Sequence, residues 1–524
     1  MLTTLDYVLI VAYLAGTLWL GFRIGKRVQS GSDLFLAGRR LPWWAVGMSL
    51  VATDIGGVDI IGGGGAAYKF GLAIANFEWI GCVPAMIVGA FVFIPAFYRA
   101  GVTTIPEFLE RRYNAGVRSV IAFCWLVFMA CNLGIMLLAS AKLMSAMFGW
   151  NPAFSILLTA SLVGFYTCAG GLEAVVYTDV LQCVVMIGGC LLTLAIGLYE
   201  VGGPKELVRR IEAIDAQRAE KQATDAVSED VTSDTDLQTN PRLTLILPVD
   251  TPTPFPWPGV YFGLALILSP AYWVGNQAIV QRTLGAKSEF EAKASYVWGA
   301  VLKNVIPLIV AVPGLIALAL IPDLKDGDAA IPRLVAEVLP VGVRGVFVAA
   351  FIAALMSSVD SYLNSAATIV SFDIYKRFVN PQVTETQLLK VGRITTVCLV
   401  VWAIGFAFLL TRIEQNSGIY TIFQTLMAFF QGPAFAILLT GVFWKRATGS
   451  AALTGLLCGI ATSVGLFTLN QPAVREALKL EPLFRISDPF LYFSIWAFLV
   501  TMVVLVTLSL LRPQRPSISI TSGS

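Results

Sequence analysis

The chain of 524 residues contains no histidine and few charged residues. The absence of histidine excludes metal sites and proton relays built on imidazole. Only 13% of the residues are charged and 57% are hydrophobic, whereas a soluble domain has about 25% charged residues. The net charge of +3 is too small to indicate a nucleic-acid partner. The composition therefore predicts an all-α polytopic membrane protein. Its surroundings would be a lipid bilayer.

The eight cysteines lie singly inside apolar segments, and their spacing is not that of metal ligands. We interpret them as small core residues. The sequence carries no nucleophile motif, so we expect neither an enzyme nor an organic cofactor. The amino-terminal segment has no basic region and no small-residue cleavage site, which favours a retained membrane span over a signal peptide.

One apolar stretch, residues 43–69, combines features that an ordinary membrane helix avoids. It exceeds the roughly 20 residues needed to cross a bilayer, yet Asp54, Asp59, Gly56 and Gly57 lie near its middle. Carboxylates are costly at membrane depth, and a glycine weakens a helix by about 1 kcal/mol. The pattern predicts either a broken helix whose carbonyls face a cavity or a kinked helix packed through small residues.

A second interruption is predicted at Ser269 and Pro270, five spans later in our count of about thirteen transmembrane helices. The alternative is that Pro270 merely kinks an ordinary helix. Because the two interrupted helices are five spans apart, an odd number, they cross the membrane in opposite directions. The two groups of five spans that begin with them therefore form a candidate inverted repeat, which is typical of secondary transporters.

This repeat gives the predicted organisation of a single membrane transporter domain, residues 1–524. The segments are a first span with an inner loop (1–42), the first core repeat (43–200), a long outer loop (201–256), the second core repeat (257–446), and two accessory spans with an inner tail (447–524).

Lysine and arginine in the short loops predict the orientation. Alternating loops on one side are rich in these residues, which include Arg23, Lys26, Arg39, Arg40, Arg111, Arg112, Arg282, Lys287, Lys376, Arg377, Lys445 and Arg446. Positive loops stay in the cytoplasm. We therefore expect the amino terminus outside the cell, the carboxyl terminus inside, and the protein in the inner (plasma) membrane.

Span nine carries adjacent hydroxyls at Ser357 and Ser358, with Ala354 one turn earlier. A hard cation such as Na⁺ prefers oxygen ligands. The two hydroxyls, together with carbonyls from a broken helix, would supply about five such oxygens. The alternative is that these serines bond to the preceding turn or join two helices.

Four segments resemble the sodium/solute symporter family, and within it the sodium/sugar (glucose) cotransporter branch. They are GGLEAVVYTDVLQ (170–182), GNQAIVQRTLGAKS (275–288), AALMSSVDSYLNSAATIVSFDIYKR (353–377) and TGVFWKRAT (440–448). The resemblance implies a leucine-transporter-type fold with an inverted five-helix repeat core, and Na⁺ as the coupling ion.

The resemblance also implies the residues that hold sodium. They are the carbonyls of Ala52, Ile55 and Ala354 with the hydroxyls of Ser357 and Ser358. Asp179 would lie on the inward exit path of the ion; the alternative is that it pairs with a loop arginine.

For the substrate, Glu78 and Lys303 match the positions that hold sugar hydroxyls in the sugar branch, and Tyr272 matches an aromatic that closes over the sugar. Three predicted substrate positions depart from the pattern. Asp59 and Met427 stand where glutamine is expected, and Ser269 stands where asparagine is expected. Gly81 also departs from the pattern of the sugar branch, which has a serine at this position. The alternative for Glu78 and Lys303 is a structural ion pair.

The predicted function is sodium-coupled import of a sugar or similar polyhydroxyl solute by alternating access. The alternatives are a symporter of an amino acid or carboxylate and a sodium or solute sensor that does not transport. The sequence carries no signal for the oligomeric state.

Overall fold

A computed structural model describes residues 3–26, 30–228, 242–412, 419–484, 486 and 488–511. Within these residues the protein is helical, and β-structure is limited to two isolated bridges, one from Leu41 to Ala286 and one from Leu247 to Pro256. The all-α prediction is confirmed. Part of the long loop (229–241) and the inner tail (512–524) lie outside the described residues.

Thirteen helical segments of the described chain are candidate spans. Nine single helices are long and apolar enough to cross a membrane: Thr4–Gly25, Leu72–Ala100, Ala115–Phe148, Gly171–Val201, Glu289–Leu320, Val343–Val379, Glu385–Arg412, Gly449–Asn470 and Phe490–Leu511. Three more are bent pairs: Trp43–Asp54 with Asp59–Phe70, Gly259–Gly275 with Gln277–Leu284, and Ile419–Ala428 with Gln431–Phe443. The shorter apolar helix Pro152–Gly164 is the remaining one. Numbered in chain order, the bent pairs are spans 2, 7 and 11, and the short helix is span 5.

Further helices lie between these spans. They are Gly31–Leu36, Ile105–Arg112, Pro204–Ser228, Ala330–Val338 and Pro472–Leu478. Pro204–Ser228 belongs to the long loop between spans 6 and 7. After this helix the described residues resume at Arg242. Its carbonyl accepts a hydrogen bond from the N–H of Leu72 at 2.6 Å. The loop is thereby joined to the turn between spans 2 and 3.

The break in span 2 lies where the sequence predicted it. Its first half ends at Asp54, Ile55 is extended (φ −88°, ψ 92°), and the two halves differ in direction by 59°. The glycines that follow allow span 9 to approach closely. A Cβ atom on Gly56 would lie 2.7 Å from the Ser358 hydroxyl, and one on Gly57 would lie 3.0 Å from the Phe351 ring.

The predicted break at Ser269 and Pro270 in span 7 is wrong in its position. The chain runs as a π-helix over Gly259–Leu268 and continues as an α-helix over Ser269–Gly275. Pro270 lies in the first turn of that α-helix, where its missing N–H is not required. The break is at Asn276 (φ −73°, ψ 117°), whose side chain accepts a hydrogen bond from the N–H of Ala278, and the bend is 51°.

Span 9 lies at the centre of the bundle. In its most apolar 18-residue window, 89% of the residues are buried, against 22% for span 1. Its Ser357 and Ser358 therefore lie far from lipid, against the break of span 2. The predicted boundaries of the two core repeats stay predictions.

Candidate functional site

The serine pair of span 9 faces the carbonyls that the break of span 2 leaves without helical partners. The Ser357 hydroxyl donates to the carbonyl of Ala52 at 2.6 Å and to that of Ala354 at 2.9 Å. The Ser358 hydroxyl donates to the carbonyl of Thr53 at 2.9 Å and to that of Ala354 at 3.1 Å. All five residues are buried. The structure thus brings together four of the five residues that the resemblance implied for sodium.

Ile55, the fifth residue, follows directly at the break. It is buried and extended, and its N–H donates to the carbonyl of Val51 at 3.0 Å. Thr53 was not among the predicted residues. Its carbonyl becomes available for the same reason as that of Ala52, because the helix ends one residue later.

A buried polar network lies next to the serine pair. Asp179 of span 6 accepts a hydrogen bond from the Ser49 hydroxyl at 2.6 Å, and the guanidinium of Arg282 lies 3.9 Å from its carboxylate. Arg282 also donates to the hydroxyls of Thr53 and, at 2.6 Å, Ser361. Both charged residues are buried.

This network corrects our interpretation of Arg282 as a charge of a cytoplasmic loop. The residue lies on the second half of span 7, inside the bundle, because the break at Asn276 turns that half-helix inward. The alternative considered for Asp179 was a pairing with a loop arginine. Asp179 does pair with an arginine, but that arginine, Arg282, lies in a membrane helix and not in a loop. Its role on an ion exit path stays a prediction.

A second charged cluster surrounds Lys303 of span 8. Its side chain is fully buried, and its ammonium forms ion pairs with Asp54 and, at 2.5 Å, with Glu78. The centroid of the Trp273 ring lies 5.8 Å from the same nitrogen. Asp54 was noted in the sequence as a carboxylate at the break but was given no part in the site. Its position at the end of a half-helix was the signal that could have assigned it.

Asp59 opens the second half of span 2 and faces this cluster. Its carboxylate accepts a hydrogen bond from the N–H of Gly56 at 2.9 Å, and the charged groups around it are Asp54, Lys303 and Glu78. With Glu78 it lines a narrow cavity, whose other residues include Phe77 and Tyr420. Sequence reasoning missed both aromatic residues, because nothing in a one-dimensional pattern relates span 3 to span 11.

The other predicted substrate residues, Ser269, Tyr272, Lys303 and Met427, are not among the residues that line this cavity. The Ser269 hydroxyl packs against Gly81 of span 3, 2.6 Å from the position a Cβ would take there. Tyr272 is buried with its hydroxyl 3.3 Å from that of Tyr362. Met427 is also buried, and its sulfur accepts a hydrogen bond from Gln431 at 2.9 Å. Among the contacts of the described residues, none joins Met427 to the charged cluster.

The sequence was compared with protein families and curated proteins. Residues 34–459 match the sequence model of the sodium:solute symporter family. The chain belongs to this family. This symporter is 33% identical to the sodium/glucose cotransporter of Vibrio parahaemolyticus, over 97% of the chain and 91% of that protein. It is 31% identical to the human sodium/myo-inositol cotransporter (98% and 74% covered) and to the bovine sodium/mannose cotransporter (99% and 89% covered).

Solved structures resemble the symporter in fold. A Na⁺-coupled sialic acid symporter in a substrate-bound, outward-open state superposes with a TM-score of 0.78 at 21% identity, covering 98% of this chain and 100% of the other. Mhp1, a nucleobase-cation-symport-1 family transporter, superposes with a TM-score of 0.54 at 12% identity, covering 93% and 96%. The predicted leucine-transporter-type fold is confirmed.

Proposed function

We propose that this symporter imports a sugar or similar polyhydroxyl solute together with Na⁺ by alternating access. The observation that carries the proposal is the meeting of the broken span 2 with the serine pair of span 9, next to a buried charged cluster. The relatives named above are cotransporters of sodium with glucose, myo-inositol and mannose. Membership of the family supports transport, and not an enzymatic reaction.

We assign the sodium site to the oxygens at the break. The ligands are the carbonyls of Ala52, Ile55 and Ala354 and the hydroxyls of Ser357 and Ser358. Each hydroxyl oxygen lies 2.6–3.1 Å from the carbonyl oxygens to which it donates, those of Ala52, Thr53 and Ala354. Oxygens this close to one another can share one hard cation. On binding, the ion takes the place of those hydrogen bonds.

Coupling follows from the position of this site between the first half of span 2 and span 9. Sodium joins the half-helix that ends at Asp54 to span 9, and therefore stabilises the conformation in which the substrate site is formed. The ion acts through different affinities for two conformations, with no chemical step. Asp179 receives the ion on its way to the cytoplasm; its contact with Ser49, one turn from Ala52, supports a position next to the exit.

We assign the substrate site to the cavity beside Lys303. The residues proposed for the site are Asp59, Glu78, Ser269, Tyr272, Lys303 and Met427, of which Asp59 and Glu78 line the cavity. Charged groups hydrogen-bond the hydroxyls of a sugar, and aromatic rings cover its apolar face. The carboxylates of Asp54, Asp59 and Glu78 disfavour an anionic amino acid or carboxylate as the substrate, because they outnumber the single ammonium of Lys303.

Uptake into proteoliposomes tests this function. The purified full-length protein is reconstituted, and labelled glucose, mannose and myo-inositol are supplied with an inward gradient of Na⁺ or of K⁺. We expect uptake of at least one compound, above the uptake with K⁺, that disappears when an ionophore dissipates the sodium gradient. Sodium-dependent uptake of none of them contradicts the assignment of a sugar. Binding without uptake identifies a sensor.

Labelling with thiol reagents tests the proposed orientation in the plasma membrane. A cysteine at Asp250, which is exposed in the long loop, is expected to react with an impermeant reagent added to intact cells. A cysteine at Ser517 in the tail is expected to react only after permeabilisation. The unchanged protein, with its native cysteines, gives the background. Reversed labelling contradicts the orientation, and labelling of both positions in intact cells contradicts the odd number of spans.

A further inference from the structure

Arg282 contacts both helices that form the proposed sodium site. Its guanidinium donates to the hydroxyl of Ser361 at 2.6 Å and to the hydroxyl of Thr53. Ser361 lies one turn after Ser357, and its hydroxyl donates to the Ser357 carbonyl at 2.5 Å. The carbonyl of Thr53 accepts a hydrogen bond from Ser358 at 2.9 Å. The guanidinium therefore holds one residue next to the serine pair on span 9 and one on span 2.

The pairing with Asp179 does not by itself explain this position. An arginine that neutralises a carboxylate often forms two parallel hydrogen bonds with it. The guanidinium instead lies 3.9 Å from Asp179, and among the described residues neither the Nε–H of Arg282 nor the Oδ1 atom of Asp179 has a hydrogen-bond partner. Asp360 is a second carboxylate near the guanidinium, and it accepts a hydrogen bond from Ser361 at 3.2 Å. The donors of Arg282 are directed at hydroxyls, not at these carboxylates.

These hydroxyls lie on the proposed route of sodium to the cytoplasm. The Thr53 hydroxyl is 3.0 Å from that of Ser361 and 3.4 Å from the Asp179 carboxylate. Together these groups form a continuous path of oxygens from the serine pair to Asp179. A sodium ion on this path meets the guanidinium, whose side chain is 1% exposed. Two positive charges about 4 Å apart repel each other strongly where water is excluded.

The geometry points to Arg282 as a gate for sodium: its guanidinium occupies the oxygens that the ion needs on leaving, and it keeps the ion at the serine pair until span 7 moves. This inference rests on the proposed function and names a residue that couples its two sites. Arg282 lies on the second half of span 7, and Tyr272 of the proposed substrate site lies on the first half. A movement of span 7 therefore acts on the ion and on the substrate together.

Sodium entry in the absence of substrate tests the gate. The purified full-length protein is reconstituted into proteoliposomes, and the uptake of radioactive Na⁺ is measured without any sugar. Arg282→Gln is expected to raise this flux by about tenfold or more, because removing a like charge from the path lowers the barrier for the ion. Arg282→Lys keeps the charge and is expected to keep the flux low. An unchanged flux in Arg282→Gln, or equal rises in both variants, overturns the proposal.

Arg118→Gln is the matched control. Arg118 is also a buried arginine beside a buried aspartate, with its Nε 2.7 Å from Asp373. Its other hydrogen bonds go to Glu110 and to the carbonyl of Phe372. The control variant leaves a buried carboxylate without its arginine, as Arg282→Gln does, and is expected to leave the sodium flux unchanged. An equal rise in the control attributes the leak to the loss of any buried ion pair and overturns the proposal.

A double variant decides the question if Arg282→Gln does not fold. Arg282→Met with Asp179→Asn removes both charges of the pair and leaves neither unpaired. We expect its sodium flux to exceed that of the unchanged protein, because the hydroxyls of Thr53 and Ser361 are no longer occupied. A flux equal to that of the unchanged protein shows that Arg282 only neutralises Asp179, and overturns the proposal.

The outcome for the gate is separate from the outcome for the proposed function, since none of these flux measurements uses a sugar. If the unchanged protein takes up no sugar with Na⁺, the proposed function is contradicted. If the unchanged protein transports a sugar and Arg282→Gln admits no additional sodium, the gate alone is contradicted.

Discussion

Replacing Lys303 by alanine is expected to abolish substrate uptake and to lower the free energy of unfolding by about 3–5 kcal/mol. The variant leaves the carboxylates of Asp54 and Glu78 beside each other without the ammonium that now pairs with both. Uptake into proteoliposomes and thermal unfolding in detergent measure the two effects. Lys205→Ala removes an exposed lysine of the long loop and serves as the matched control. A Lys303→Ala variant that transports normally contradicts the site.

Further variants separate substrate binding from structural pairing within the cluster. Glu78→Gln removes one hydrogen bond from a charged group to the substrate, which costs roughly 1.5–3 kcal/mol, or about ten- to a hundredfold in affinity. Its control is Glu337→Gln, at an exposed position where the glutamate pairs with Arg333. Because Asp54 shares the ammonium, replacing Glu78 and Lys303 alone leaves one carboxylate unpaired. The informative combination is Asp54→Asn, Glu78→Gln and Lys303→Met.

The triple variant gives opposite results for the two roles. If the ion pairs of Lys303 are purely structural, replacing all three paired residues is expected to regain both stability and uptake, since no member of these pairs is left as an unpaired charge. A cluster that binds substrate is expected to regain stability without uptake. We expect the second result. Uptake restored in the triple variant contradicts the substrate site, while the family and the sodium site are unaffected by it.

Replacing Ser357 and Ser358 together by alanine is expected to remove the sodium dependence of uptake or uptake itself. The two hydroxyls are two of about five proposed oxygen ligands, and losing a contact with a charged group costs about tenfold or more in affinity for each. The concentration of Na⁺ at half-maximal uptake measures the effect. Ser358→Cys is expected to behave like the alanine variant, because a thiol is a poor ligand for a hard cation.

A matched control exists in the two accessory spans. Ser463 and Ser494 are buried serines whose hydroxyls donate to carbonyls of their own helices, at 3.4 and 2.7 Å. Replacing both by alanine removes the same two groups away from the break, and the sodium dependence is expected to stay unchanged. If the Ser357 and Ser358 double variant keeps the sodium affinity of the unchanged protein, the proposed ligands are wrong.

The sequence by itself determined the membrane class, the positions of most spans and the break in span 2. These features depend on local composition: apolar length decides what crosses a bilayer, and the pair Gly56 and Gly57 next to carboxylates decides where a helix ends. The same local patterns carry the family motifs, which is why the fold was predicted. The residues on both sides of the proposed sodium site were implied by the family resemblance, and their role stays a prediction.

Only the tertiary structure decided which groups meet across the bundle. Asp54 and Lys303 pair although 249 positions separate them along the chain, and Arg282 enters the interior because Asn276, not Pro270, breaks span 7. The sequence pattern of a helix records which of its faces is apolar. It does not record which other helix packs on that face or at what height, and in a bundle of this size the partners of a buried charge depend on both.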